Sequence, residues 1–261
     1  MRATVLLLVG CSACFATSAL ALDPAVEEVQ ACARRNLPET SARQQIVLEA
    51  VDASGAGQRI EAELSWRRNE KDHSQVLVRV ERPPDLRGSA FLLLEREDGY
   101  DLFSYLPSLQ KVRRLTGSAI SGSLFGTDFS YEDFQRLQTA GKGTEVTRLP
   151  DAELDGRPTF VIAASPPSDA GSAYRRIVSW VDRETCVLLR ADLETDGEHV
   201  AKQLLVDPAQ VRVVGTRHIP GAVTLEDREK NTRTTLTIDK IEFDVPLSDS
   251  LFSQSALTKG H

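Results

Sequence analysis

The amino-acid sequence predicts a mainly β protein, an antiparallel meander closed or nearly closed on itself and entered through one helix. Two observations carry that expectation. Apolar and charged residues alternate with a period of two over most of the chain after Arg43. Turn signals recur about every dozen residues, the spacing of short strands joined in sequence order.

The first residues read as an export signal. Arg2 is a short basic start, Ala3 to Val9 an apolar run, and Ala19-Leu20-Ala21 a small-x-small cleavage site. The apolar run is too short to span a bilayer, and no later stretch is longer. Residues 1–21 are therefore expected to leave, and residues 22–261 to form one domain in the periplasm. A second processing site, the lipobox-like Leu8-Val9-Gly10-Cys11, would leave an unusually short signal.

A helix follows. Asp23 can cap it, Pro24 suits its first position, Glu27 and Glu28 sit in its positive first turn, and Arg34 and Arg35 in its last. Ala25, Val29 and Cys32 fall on one face. Cys32 and Cys186 are the two cysteines left after processing, without CxxC spacing. Compartment and even count favour a disulfide between them, with two buried free thiols as the alternative.

The clearest strand is Arg59 to Arg67, where Ile60, Ala62, Leu64 and Trp66 alternate with Arg59, Glu61, Glu63, Ser65 and Arg67. Further strands are expected at Val76–Arg82, Ala90–Glu97, Tyr100–Leu106, Gln110–Thr116, Arg157–Ala164, Arg175–Asp182 and Cys186–Glu194. Val200–Val206, Val211–Ile219, Ala222–Arg228 and Arg233–Phe243 complete the set. Pro83-Pro84, Asp98-Gly99, Pro107, Asp155-Gly156, Asp196-Gly197 and Pro220-Gly221 are among the turns between them.

One segment breaks the rhythm. Gly117 to Leu137 begins as a glycine- and serine-rich loop and ends as a short helix, with Ser130 as N-cap, Asp133 at the third helical position, and Phe129 placed to staple Phe134. Leu124, Phe125, Phe129, Tyr131 and Phe134 make it the densest aromatic cluster in a chain that is 6% aromatic. So apolar a loop must cover something apolar, either the protein's own core or a ligand cavity.

Catalytic signatures are missing. The four histidines, His73, His199, His218 and His261, stand far apart, no nucleophile elbow occurs, and Gly55-Ala56-Gly57 lacks the third glycine of a dinucleotide loop. The net charge of −7, one unit more negative without Arg2, argues against nucleic acid. No cofactor, metal or enzymatic activity is expected. An integral outer-membrane barrel would need a lipid-facing apolar belt, whereas Glu61, Glu63, Arg79 and Arg113 occupy the face opposite the apolar one.

The stretch Tyr105 to Phe134, YLPSLQKVRRLTGSAISGSLFGTDFSYEDF, resembles the signature of outer-membrane lipoprotein-sorting proteins of the LolA-like superfamily, in its branch with YLP and GTDFSYED. The resemblance implies an incomplete, half-open antiparallel β-barrel with an N-terminal helix and a short helical lid over an apolar concave face. It implies a non-catalytic periplasmic carrier that binds lipid or lipoprotein acyl chains and passes them towards the outer membrane; the chain is separately expected to be a monomer. Carried over to this chain, it puts Tyr105, Leu106, Leu124, Phe125, Phe129, Tyr131 and Phe134 at or beside the lidded cavity, with plain core as the other reading. Asp128, Glu132 and Asp133 would fix the lid by capping and by ion pairs with arginines such as Arg113 or Arg114. The alternative function is a non-catalytic accessory module of an inner-membrane RND-type exporter, with Lys111, Arg113 and Arg114 meeting head groups or the partner.

Overall fold

The computed structural model describes residues 24–138, 144–168, 170–196 and 199–259. The expected signal, the Asp23 cap, Gly197 and His261 lie outside them. Helix α1 (Pro24–Arg34) leads into a meander of β1 (Ser41–Val51), β2 (Gly57–Arg68), β3 (Ser74–Arg82), β4 (Ala90–Arg96), β5 (Gly99–Leu106) and β6 (Lys111–Leu115). A 3-10 turn (Gly117–Ser121) and helix α2 (Tyr131–Gln138) connect β6 to β7 (Glu145–Leu154). The second half comprises β8 (Arg157–Ser165), β9 (Arg176–Asp182), β10 (Leu188–Glu194), β11 (Val200–Leu205), β12 (Val211–Val214), β13 (Arg217–Pro220), β14 (Ala222–Asp227) and β15 (Thr232–Phe243). A 3-10 turn (Asp249–Phe252) and helix α3 (Gln254–Thr258) follow.

Thirteen strands form one sheet in the order β6-β5-β4-β3-β2-β1-β15-β14-β11-β10-β9-β8-β7, and β12 and β13 form a separate hairpin. The sheet's neighbouring strands run antiparallel, and β15 closes the long-range pairing against β1 with Leu48 opposite Leu236. The sheet is not closed into a barrel: β6 and β7 are its two edges. Both edges carry the features that keep free strands from pairing with other chains, Lys111 and Arg113 on β6 and Pro150 on β7.

Period-two alternation explains the curvature. Ile46 and Leu48 on β1, Ile60, Ala62, Leu64 and Trp66 on β2, Val76, Val78 and Val80 on β3, Phe91 and Leu93 on β4, and Leu102 on β5 all point inward. They share one contiguous core with Ile177, Leu189, Leu204, Leu225 and Leu236 from the other half of the sheet. Strands so far apart in sheet order can bury side chains together only if the sheet curls around them.

The opposite faces are used as well. On the convex side of β3 to β5, Leu77, Ala90, Leu92, Leu94 and Phe103 pack under Phe252 and Leu257 of the C-terminal segment. On the concave side of β8 and β9, α1 docks Val29 and Cys32 against Phe160, Val181 and Cys186. Its most buried side chain is Val26, whereas Ala25 is only half-buried, so the docking face is rotated slightly from the expected one.

Four elements differ from expectation, the first being β1, over which alternation from Arg43 was expected but no strand was assigned. β7 was not anticipated, because Pro150 and its charged residues hide the period; an edge strand tolerates both. The strand expected over Val211–Ile219 is the β12–β13 hairpin, turned at Gly215, whose φ of 64° is a left-handed conformation that glycine adopts without strain. Helix α3 is a further addition, capped by the Ser253 hydroxyl, which accepts from the Ala256 N–H.

Candidate functional site

After the β6 edge, residues 117–138 lie over the concave face and form the lid. Ser130 and Asp133 make the reciprocal cap expected of them: the Asp133 N–H donates to the Ser130 hydroxyl at 3.0 Å, and the Ser130 N–H donates to the Asp133 carboxylate at 2.8 Å. Phe129 and Phe134, on either side of that cap, are fully buried. Phe91 of β4 meets the lid, with ring centroids 5.2 Å from Tyr131 and 6.0 Å from Phe134 in an edge-to-face arrangement. Tyr131 also reaches Ser104 of β5, and burial raises its pKa against the lowering effect of that hydrogen bond.

The acidic residues of the lid find their partners far along the chain. Asp133 Oδ2 accepts from Lys202 Nζ at 2.8 Å and Asp133 Oδ1 from the Tyr174 hydroxyl at 2.6 Å. Burial, then the Asp133 charge, drive the Tyr174 pKa far up, so its phenol stays a donor. Glu132 accepts from Arg136 at 2.8 Å, from the Ala173 N–H at 3.0 Å, and from the Ser172 hydroxyl. Asp128 accepts from the hydroxyls of Thr232 and Thr234 on β15. Arg114 pairs instead with Asp101 of β5 at 2.5 Å, and among the described residues Arg113 makes no ion pair with the lid. The expected arginine partners are therefore replaced by Lys202 and Arg136, because α2 lies towards β11 and away from the β6 edge.

Two adjoining apolar hollows lie under the lid's C-terminal end. One, of about 270 Å³, is walled by Ile46, Leu64, Trp66, Val223, Leu236 and Ile238 of the sheet, with Ile219 of the β12–β13 hairpin and Leu37 and Pro38 after α1. The second, of about 300 Å³, lies between α1, Leu137 of α2, and Ile162, Ile177, Val181 and Ala191. Ala33, Leu37, Arg136, Leu137, Leu188 and Leu204 border both. Each is at the lower end of the size range of ligand pockets.

The residues singled out in the sequence fall into three places. Leu124, Phe125, Phe129, Tyr131 and Phe134 lie together in the packed core beneath the lid and line neither hollow. Tyr105 packs on the opposite, convex face beside Phe252 and Leu257, and Leu106 is half-buried at the corner that ends β5. Lys111, Arg113 and Arg114 are exposed on β6, Arg114 turned to the face of Asp101. The hollow's actual walls, Leu37, Pro38, Leu204, Ile219 and Ile238, come from four separate segments. Alternation marks Leu204 and Ile238 as inward-facing, but no local signal marks the loop after α1 or the hairpin.

Cys32 and Cys186 form the expected disulfide, with Cα atoms 5.2 Å apart. It fastens α1 to the turn after β9. That turn is organised by Asp182, which accepts from the N–H groups of Glu184 and Thr185, from the Thr185 hydroxyl, and from Arg157. Burial raises the Asp182 pKa, but Arg157 and Thr185 together outweigh it and hold the carboxyl at about 2. His73, His199 and His218 are not brought together, and among the described residues no group of three or more His, Cys, Asp or Glu side chains is placed to hold a metal.

An open antiparallel sheet, a helical lid tethered between its two edges, and an apolar hollow on the concave side define a LolA-like fold. Residues 72–259 match the model of a family described only as uncharacterized protein, and the chain belongs to that family. A DUF1329 family protein from Desulfovibrio piger superposes with a TM-score of 0.80 at 23% identity, covering 89% of this chain and 98% of that one. An outer membrane lipoprotein-sorting protein domain from Vibrio parahaemolyticus gives 0.80 at 22% identity, covering 90% and 97%. A LolA superfamily protein from Nitrosomonas europaea gives 0.71 at 17% identity, covering 89% and 98%. No curated protein matches the chain.

Proposed function

We propose that this protein is a non-catalytic carrier of acyl chains, exported to the periplasm by residues 1–21 and binding its cargo between α1, α2 and the concave face of the sheet. The observation that carries this reading is the pair of adjoining apolar hollows that share Ala33, Leu37, Leu137, Leu188 and Leu204. A saturated chain laid through both would leave water along most of its length. At about 0.8 kcal/mol per buried methylene, a dozen methylenes contribute roughly 10 kcal/mol, and no reactive group is needed. The sorting-protein fold of the Vibrio parahaemolyticus domain supports the same reading, as does the lid, whose Glu132, Asp133 and Asp128 are held by polar contacts that can be exchanged for water when it lifts.

The direction, towards the outer membrane, is part of the proposal and rests on the likeness to the outer membrane lipoprotein-sorting protein domain. Periplasmic protein extracted with organic solvent and analysed by mass spectrometry should yield a lipid or acylated peptide. Delipidated protein should take up a fluorescent fatty acid. A protein that carries nothing and takes up no probe, with its fold intact, would remove the carrier reading.

A further inference from the structure

A second cleft lies on the opposite, convex face, and it holds a buried cation that makes no ion pair among the described residues. Arg79 extends from β3 into the space between the sheet and the C-terminal segment and is only 7% exposed. Its Nη2 donates to the Ala256 carbonyl at 2.6 Å and its Nη1 to the Leu257 carbonyl at 3.4 Å, while Nε is buried and donates to nothing. Among the described residues no carboxylate lies within ion-pair distance of it. The carboxylate that acts on it most, Glu63, is already engaged by Arg43 at 3.7 Å. Burial lowers the Arg79 pKa, though guanidinium stays charged at any relevant pH. A buried guanidinium held by two carbonyls, with its nearest carboxylate charge beyond ion-pair distance, is an expensive arrangement unless an anion completes it.

Arg79 lines a cleft of about 590 Å³, and the rest of the lining fits an anion. Arg82 at the end of β3 and Arg87 in the turn after it flank the cleft. Arg82 is shared with Glu61 at 2.8 Å, while Arg87 spends only its Nε, on the Glu81 carbonyl. The Tyr105 and Thr258 side chains complete the wall. With Glu61 and Glu81 counted, the lining remains net cationic in a chain whose overall charge is −7. Tyr105 and Pro107 here are the first and last residues of the YLP motif, which the concave site does not use.

We propose that this convex cleft binds a phosphate group, with Arg79 and Arg87 as its cationic ligands and Tyr105 as a hydroxyl partner. Guanidinium groups match phosphate oxygens in geometry as well as charge, and a site between strand and C-terminal helix is rigid enough to hold one. The phosphate is either free or the phosphodiester of a lipid head group. The site is separate from the apolar hollows and does not depend on the carrier reading.

Calorimetric titration of the full mature chain with inorganic phosphate at low salt tests the free form. Co-sedimentation with vesicles of phosphatidylcholine, with and without phosphatidylglycerol, tests the head group. Binding in either assay should weaken roughly tenfold in Arg79→Gln and in Arg87→Gln. It should be unchanged in Ala33→Trp, which addresses only the apolar hollow. Phosphate uptake assigns the site to the free ion; a silent titration with phosphatidylglycerol-dependent sedimentation assigns it to the head group. Absence of binding in both assays, or binding that neither substitution changes, overturns the proposal. Should Arg79→Gln fail to fold, the exposed Arg87→Gln and the half-buried Tyr105→Phe carry the test.

Discussion

Lys202 Nζ on β11 lies 2.8 Å from Asp133 Oδ2 in the lid helix, with 13% and 3% of the two side chains exposed. The pair joins a local cap to a strand far away in sequence. Lys202→Met keeps the stem but strands the carboxylate, a loss of about 3 kcal/mol for a buried pair broken on one side. Amide hydrogen exchange over 123–138 should accelerate by the factor that this loss implies, while β1 to β3 stay protected. Unchanged exchange in the lid would show that Ser130 and Tyr174 suffice to hold Asp133.

The disulfide between Cys32 and Cys186 closes a loop with a sequence separation of 154 residues. Loop-closure entropy alone gives an upper figure of about 5 kcal/mol, and native disulfides typically contribute 2 to 4. Denaturant unfolding of the oxidised protein and of Cys32→Ala/Cys186→Ala should differ by that amount. Because α1 borders the apolar hollow, the double variant should also bind a fatty-acid probe more weakly.

Ala33 is exposed at the rim shared by both hollows. Ala33→Trp puts a large ring into the opening without crowding the packed core, so the melting temperature should stay within a degree or two. Uptake of a fluorescent fatty acid should fall about tenfold, the loss expected from displacing two methylenes' worth of burial. Equal uptake by variant and parent would locate the acyl chain elsewhere.

Asp182 titrates at about 2 in the folded protein against an ordinary value of 3.8. A depressed folded pKa contributes stability that is complete above the unfolded value and disappears as pH falls through the folded one. The contribution, about 2 kcal/mol, should therefore be lost between pH 4 and pH 2. Asp182→Asn should flatten the stability profile in that window and lower stability at neutral pH. A parallel profile for the two proteins would show that Arg157 and Thr185 do not favour the charged carboxyl.

Much of the fold was legible because the signals are local. Alternation at Ile60 to Trp66 identifies which face is inward, and the Ser130–Asp133 spacing specifies a capping box before any tertiary contact is known. Where an element lacks such a signal it was missed. β7 carries Pro150 and a polar face because it is an edge, and the break at Gly215 is a single glycine within an otherwise strand-like run. The aromatic lid announced an apolar surface beneath it, but its rings fill that surface themselves. The hollow lies to one side, walled by Leu37, Pro38 and Ile219, whose meeting depends on how remote segments pack. Lys202 and Arg79 were illegible for the same reason, since an isolated charge in an alternating strand looks solvated until the segment covering it is known.

The placement of the sheet's two borders has a mechanical outcome. Among the described residues no ladder of hydrogen bonds spans the gap between β6 and β7, so the gap can widen without any rung being broken. The strap across it is the covalent stretch between Leu115 and Glu145, whose contour limits how far the rims can separate. Entry and exit of a guest would then be governed by how firmly that strap is buttoned to β11 and β15, and hardly by the cohesion of the strands themselves.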